Sequence, residues 1–450
     1  MYQIRTGTSC ARSRAIGLLF TTFCLALLGC TPTTPNSNTA PAATNTNVTA
    51  STNASSNANS NSTGGSEASA SNVPITMPVV DALLSDEEFV AEVKKSVQPS
   101  DEQLDKLKNA ARDSVLKLNE DAGSDEFARS TKASTAQADK QIKEILGADN
   151  GAKFLNVARK HWSGGDATAL AKPNAVPTDT RIVVNAPAYR MDIFQDGKIV
   201  KSYKVGIGYP EFPLPTGLRS AKKIIFNPTW TPPDEPWVKG EFQPGKKVEA
   251  GSKKNPLGFI KIPIGLPSLI HGGKDPSRLG TFASHGCVGL TNALVQDFTT
   301  ELTKLSGSPL TLQQIKGYEQ KRSETSEVDL SNPVPVELRY ETIVADNGRL
   351  HIYRDVYEHG TNTEENLERV LQVYGLSMKD LSPEEQTKVR EALKKMAIDA
   401  QGQPVEESDS NKKPSSSSKV TRTIKGAKEV VVDIAALKGK GYPAPVNINS

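Results

Sequence analysis

Ser284-His285-Gly286-Cys287 gathers a hydroxyl, an imidazole and a thiol within four positions, and a second histidine, His271, lies sixteen residues before the cysteine. A thiol of pKa about 8.5 is only a few per cent thiolate at neutral pH, so a neighbouring imidazole would activate it. Acyl transfer also needs donors aimed at the developing oxyanion. A turn through His285-Gly286-Cys287 can offer consecutive backbone N–H groups, because glycine lets the main chain approach closely. These residues therefore suggest acyl transfer through a thioester, with Cys287 as nucleophile, a histidine as base, and Ser284 and Gly286 shaping the turn. Two other chemistries fit the same residues. His271, His285 and Cys287 could bind zinc, although no C-x-x-C or H-x-x-x-H pair accompanies them. Cys287 could also be a buried structural thiol among unrelated histidines.

The remaining cysteines sharpen the choice. Arg5, Arg12 and Arg14 precede an apolar run, Ala15 to Leu28, that ends in Leu27-Leu28-Gly29-Cys30. The run is too short to span a bilayer, and its basic flank and small residue before the cut mark residues 1–29 as an export signal. A cysteine directly after the cut resembles a bacterial lipoprotein box, which implies lipidation of Cys30; an ordinary secretory signal is the alternative. Of four cysteines, Cys10 and Cys24 leave with the signal and Cys30 carries lipid, so Cys287 has no disulfide partner. In an oxidising compartment such a thiol is a liability unless it is buried or used.

Elements must position these groups, and the chain divides by composition. Residues 30–80 read as a tether: from Thr31 to Asn72 nearly every residue is Ser, Thr, Asn, Ala, Pro or Gly, with Glu67 the one charge. Such a segment buries too little apolar surface to offset ordering entropy. As a coil it spans about 35 Å, enough to hold a domain off its membrane. The formal charge of +3 includes the three signal arginines, which leaves the mature chain neutral. With no basic block interleaved with aromatics, nucleic-acid binding has no support.

Residues 81–172 read as a small helical region. Ser85-Asp86-Glu87-Glu88 and Ser100-Asp101-Glu102-Gln103 are capping-box patterns, and Leu104, Leu107, Ala111, Val115 and Leu118 keep helical spacing. Further helices are expected at 126–146 and 151–162, with His161-Trp162 an ordinary helix-end pair. Residues 173–313 turn β-rich. The stretch 181–208 alternates around Asp196-Gly197, a hairpin signal, and a helix near 292–305 and a last strand at 309–312 follow. Residues 333–400 read as a second hairpin, 333–357, turning at Asp346-Asn347-Gly348, then helices from Thr363 and from Ser382-Pro383-Glu384-Glu385. Residues 401–450 form a polar linker and a short β-like tail that either pairs with another sheet or stays mobile. The fold class is multidomain α+β, a mostly β catalytic domain preceded by helices and followed by a hairpin plus helices.

The paired segments Ile270-His271-Gly272-Gly273 and "SHGCVGLTN" (284–292), with twelve residues between His271 and Ser284, resemble the active-site signature of the L,D-transpeptidase (YkuD) catalytic domain. "DGKIVKSYKVGIG", "PLPTG" (214–217 for its Leu to Gly) and "FNPTWTPP" (226–233) resemble that domain in order and spacing, so the likeness covers about residues 180–313. The resemblance implies that Cys287 attacks the amide after the third residue of a peptidoglycan stem peptide and releases the terminal D-alanine. It makes His271 the general base and His285 the histidine that orients the site. Ser284 and Gly286 then hold the turn and its oxyanion donors, and Gly272, Asn292 and Arg278 lie toward substrate.

One position departs: members commonly carry arginine two residues after the cysteine, where this chain has Gly289. Arg278 or Lys274 could supply the missing cation, the donor stem could differ, or the activity could be weak; both side chains could equally be solvated loop charges. The expectation is an exported, lipid-anchored monomer facing the periplasm or cell wall, needing no metal or other cofactor. Its product would be a stem cross-link or a protein attached to the wall. An L,D-carboxypeptidase or endopeptidase, and a non-catalytic wall-binding lipoprotein, are the alternatives.

Overall fold

A computed structural model describes residues 73–117, 130–163, 172–230, 247–252, 254–265, 268–398, 424 and 426–448. The export signal, Cys30, the tether to residue 72, Leu118, residues 231–233 and the linker 401–418 lie outside the described residues. Residues 73–80 belong to the helical region rather than to a tether. Val73 and Ile75 are buried, and α1 (Met77–Leu84) begins behind Thr76, whose hydroxyl accepts from the Val79 N–H.

Four more helices follow: α2 (Glu87–Ser96), α3 (Asp101–Lys117), α4 (Thr131–Leu146) and α5 (Ala148–Trp162). Their caps explain their bounds. Ser100 and Gln103 form the expected reciprocal box, at 3.0 and 3.1 Å. At α2 the cap lies one residue later and forms no box: Asp86 is the cap, accepting from the Glu88 N–H at 2.9 Å, while Ser85 closes α1. The charged carboxylate at the first turn of α2 also meets the positive end of the helix dipole, which favours Asp86 over Ser85. Leu107, Ala111, Ile142, Phe154 and Trp162 share one apolar core.

The β-rich part is an eight-stranded sheet in the order β3-β2-β1-β10-β5-β6-β7-β9. Its strands are β1 (Arg181–Asn185), β2 (Arg190–Gln195), β3 (Lys198–Lys204), β5 (Gly217–Phe226), β6 (Ile260–Pro263), β7 (Leu269–His271), β9 (Val288–Gly289) and β10 (Ser326–Arg339). Asp196-Gly197 makes the expected hairpin between β2 and β3, both residues at positive φ. A two-stranded parallel sheet pairs β4 (Ile207–Gly208) with β8 (Phe282–Ser284) beside it. Helix α6 (Asn292–Leu305) covers the sheet through Val295, Phe298 and Leu302.

Two sequence expectations fail here. Residues 309–312 are no strand: α7 (Leu312–Gln320) begins there, because Thr311 and Gln314 cap each other as a box. The hairpin is confined to β11 (Ile343–Asp346) and β12 (Arg349–Tyr353). Residues 333–339 instead belong to β10, between β1 and β5. Alternation marks a half-buried strand but does not say which sheet it joins. Helices α8 (Glu364–Val373) and α9 (Pro383–Met396), capped by Thr363 and Ser382 as expected, pack on β11, β12 and β13 (Glu429–Asp433). The tail pairs with other sheets: β13 joins β12, and Ser202 of β3 exchanges two hydrogen bonds with Val446, at 2.8 and 3.0 Å.

Candidate active site

Pairing of short strands brings the two motif segments together. β7 lies parallel to β9 with Ile270 opposite Val288 and His271 opposite Gly289, so Cys287, one residue before β9, comes level with Leu269, two positions before His271 on the neighbouring strand. On its other side β9 meets the chain at Gly206, which exchanges two 2.9 Å backbone bonds with Gly289. A Cβ on Gly206 would stand 2.5 Å from that of Ala283, so only glycine lets this segment lie so close.

Ser284 fastens the turn to itself. Its hydroxyl accepts from the Cys287 N–H at 3.0 Å and donates to the Cys287 carbonyl at 2.5 Å. Gly286 takes φ +81°, a conformation that L side chains rarely adopt. Of the consecutive backbone donors expected here, the Cys287 amide is thus spent inside the turn. Gly286 itself is buried, its nitrogen 3.1 Å from the Cβ position of Gly208.

The thiol is 8% exposed and free, and it lies 4.0 Å from the His285 carbonyl oxygen. Burial pushes its pKa up, opposed by the Leu269 backbone and by the charge of Lys274. His271 is 3% exposed and gives its Nδ1 proton to the Gly272 carbonyl at 2.7 Å. A carbonyl only accepts, so that bond assigns the tautomer and leaves Nε2 with its lone pair. Burial, then the Lys274 charge, brings His271 down to about 3, and the Gly272 bond opposes them only in part. At neutral pH this pair rests as thiol and neutral imidazole, not as thiolate and imidazolium.

The other expected site residues make these contacts within the fold. The His285 ring packs edge-on between Tyr209 and Phe212, with centroids 5.1 and 4.8 Å away. Asn292 opens α6 behind its Thr291 cap and accepts from the Gly273 N–H at 2.9 Å, pinning the loop after β7. Gly272 packs under it: a Cβ there would lie 2.7 Å from the Asn292 Oδ1. Arg278 donates to the Phe282 carbonyl at 2.7 Å and to the Tyr209 hydroxyl at 3.3 Å. Among the described residues no group of three or more His, Cys, Asp or Glu side chains is gathered to hold a metal.

Sequence reasoning passed over three residues beside the turn. Tyr209 and Phe212 belong to "YPEFP", just before the "PLPTG" motif, where aromatics between prolines were the available signal. Trp162 ends α5 with its ring edge 3.8 Å from the Cβ position of Gly286. It is 2% exposed, no ordinary helix-end residue. No local pattern ties it to a turn more than a hundred residues away.

Residues 179–309 match the family model of the L,D-transpeptidase (YkuD) catalytic domain. Solved structures that match part of the chain include the catalytic domain of the E. faecium L,D-transpeptidase (18% identity, covering 37% of this chain and 100% of that one, TM-score 0.22). An L,D-transpeptidase from Mycobacterium smegmatis is 15% identical over 36% of this chain and 58% of that one, with TM-score 0.22. One from Mycobacterium tuberculosis is 14% identical over 36% and 57%, with TM-score 0.21. The match thus spans little more than half the length of these two mycobacterial proteins. No curated protein matches the chain. The chain carries a YkuD L,D-transpeptidase catalytic domain over residues 179–309, within a helical and β-rich architecture. Among the described residues no helix is long and apolar enough to cross a membrane.

Proposed function

We propose that the protein is a cysteine L,D-transpeptidase, tethered by lipid on Cys30, that cross-links stem peptides or attaches a protein to the wall. The observation that supports this reading is the strand pairing of β7 with β9, which joins the segment ending in His271, its Nδ1 already given to Gly272, to the segment that carries the free thiol of Cys287.

In the acylation step the Cys287 proton passes to His271 Nε2 as sulfur attacks the stem carbonyl. Negative charge gathers on the carbonyl oxygen, where backbone N–H groups of the glycine-broken turn would stabilise it. Collapse breaks the C–N bond, and the His271 proton leaves with the amine of D-alanine. An acceptor amine then attacks the thioester and returns its proton through His271 to the sulfur. Ser284 and the aromatic clasp on His285 keep the turn in register through both steps.

Incubation of the full chain with defined muropeptides, followed by mass spectrometry, tests this. The expected products are free D-alanine and a stem dimer or amine adduct, with Cys287→Ala inactive. Exclusively hydrolysed stems would replace the transferase by a carboxypeptidase or endopeptidase. No turnover by the unaltered chain would leave a wall-binding protein.

A further inference from the structure

We propose that Lys274 is the positioning charge of this site: its ammonium stabilises the Cys287 thiolate and drives the proton of His271 onto the leaving amine. The proposal deepens the acyl-transfer reading above and rests on it.

The lysine is held where it can act. Its backbone N–H donates to the Leu290 carbonyl at 3.0 Å, and the Leu290 N–H donates to the His271 carbonyl at 2.8 Å. The start of the loop after β7 is therefore tied to the strand that leaves Cys287. From there the side chain crosses the face of Gly289: a Cβ on that glycine would stand 2.8 Å from Lys274 Cγ and 2.9 Å from its Cε. Glycine two residues after the cysteine is what opens the lysine's path. Any side chain there would have to displace the stem.

Lys274 is half-buried, and among the described residues its ammonium has no hydrogen bond or ion pair to a carboxylate. The charged and titratable groups that face it are Cys287, His271 and Arg278. Arg278 is committed to Phe282 and Tyr209, so it does not compete for the thiol. Burial, opposed by the attraction of Cys287, brings Lys274 down to about 8; it is charged at neutral pH and loses that charge above pH 8.

One positive charge has two consequences here. It favours the thiolate, offsetting the burial that pushes the thiol up. It also disfavours the imidazolium, which makes protonated His271 a stronger acid when the C–N bond breaks. The proton taken from Cys287 is then delivered to the departing amine rather than returned to sulfur.

The test is the rate of iodoacetamide alkylation of Cys287 from pH 6 to 10, read by mass spectrometry of its peptide, in the full chain. Lys274→Met keeps the stem without the charge. Its rate at pH 7 should fall about tenfold, since one unit is a tenfold change in thiolate, and the two profiles should converge above pH 8, where Lys274 loses its charge. Lys274→Arg should stay within about threefold of the unaltered chain. A Lys274→Met profile that overlays the unaltered one overturns the proposal. If circular dichroism shows Lys274→Met unfolded, Lys274→Gln reads the same quantity. Muropeptide turnover by Cys287→Ala judges the acyl-transfer reading by itself, so the two can fail separately.

Discussion

His271 is an imidazole held neutral far below the pH at which histidine usually charges. Two effects follow from the fall to about 3. Thioester formation should lack the acid limb near pH 6.5 that an exposed histidine base would give, staying nearly flat between pH 5 and 7.5 in single-turnover measurements. Stability should move the other way. Between about 6.5 and 3 the unfolded chain takes up a proton that the folded chain refuses, so stability falls as pH falls through that window. The slope contributed is at most about 1.4 kcal/mol per pH unit. Denaturant midpoints at pH 7, 5 and 4 should therefore fall less steeply in His271→Gln than in the unaltered chain; parallel slopes would refute the buried neutral imidazole. Cys287, His271 and Ser284 were legible in the sequence because their spacing is itself the chemistry. The contacts of Gly272 and Asn292 were not, since both depend on where α6 docks against the loop after β7.

At the scale of elements, α5 is built against the reactive turn. Gly217 of the "PLPTG" motif takes φ +113°, and a Cβ there would fall 1.6 Å from the Ser163 carbonyl oxygen, inside the end of the helix. Arg219, two residues along β5, donates to the Trp162 carbonyl, a cation at the negative end of the α5 dipole. Burial brings that guanidinium down to about 10. Thr76 and Thr131 donate to the carbonyls of Glu211 and Pro210, each at 2.7 Å, so the helical region also grips the segment that carries Tyr209 and Phe212. Trp162→Ala should cost about 3–5 kcal/mol of stability, as large-to-small changes in cores do. It should also slow thioester formation at least tenfold by freeing the Gly286 turn. Urea denaturation and single-turnover acylation check the two; normal acylation in a destabilised variant would make the helical region a mere neighbour. Helical periodicity announced α3 and α5, but no local rule could announce this docking. The missed start of α7 differs: the Thr311–Gln314 box was present and was outweighed by a short apolar alternation.

Across the whole molecule, the C-terminal part locks the catalytic sheet at two places. Tyr357 donates to the Gly208 carbonyl at 2.9 Å and accepts from the Leu214 N–H at 3.1 Å, bracketing the segment that clasps His285. At the far edge, Tyr442 reaches the buried Asp192 carboxylate at 3.2 Å, beside Ser202 at 2.5 Å and Arg190 at 2.8 Å. Burial pushes Asp192 up despite these partners, so each hydrogen bond matters to it. Tyr442→Phe should cost about 1–3 kcal/mol in urea unfolding, the usual cost of unsatisfying a buried acceptor, with no change in Cys287 alkylation. An unchanged midpoint would leave the tail without a structural role. By itself the sequence singled out Cys287, its two histidines, the glycine-broken turn and several helix starts, because these rest on residue type, spacing and caps within a few positions. Only the tertiary structure decided that β10 enters the main sheet, that α5 touches the turn, that the tail closes the edge and that Lys274 fills the space over Gly289. Those are contacts between distant segments, set by which surfaces bury one another, and no local pattern encodes them.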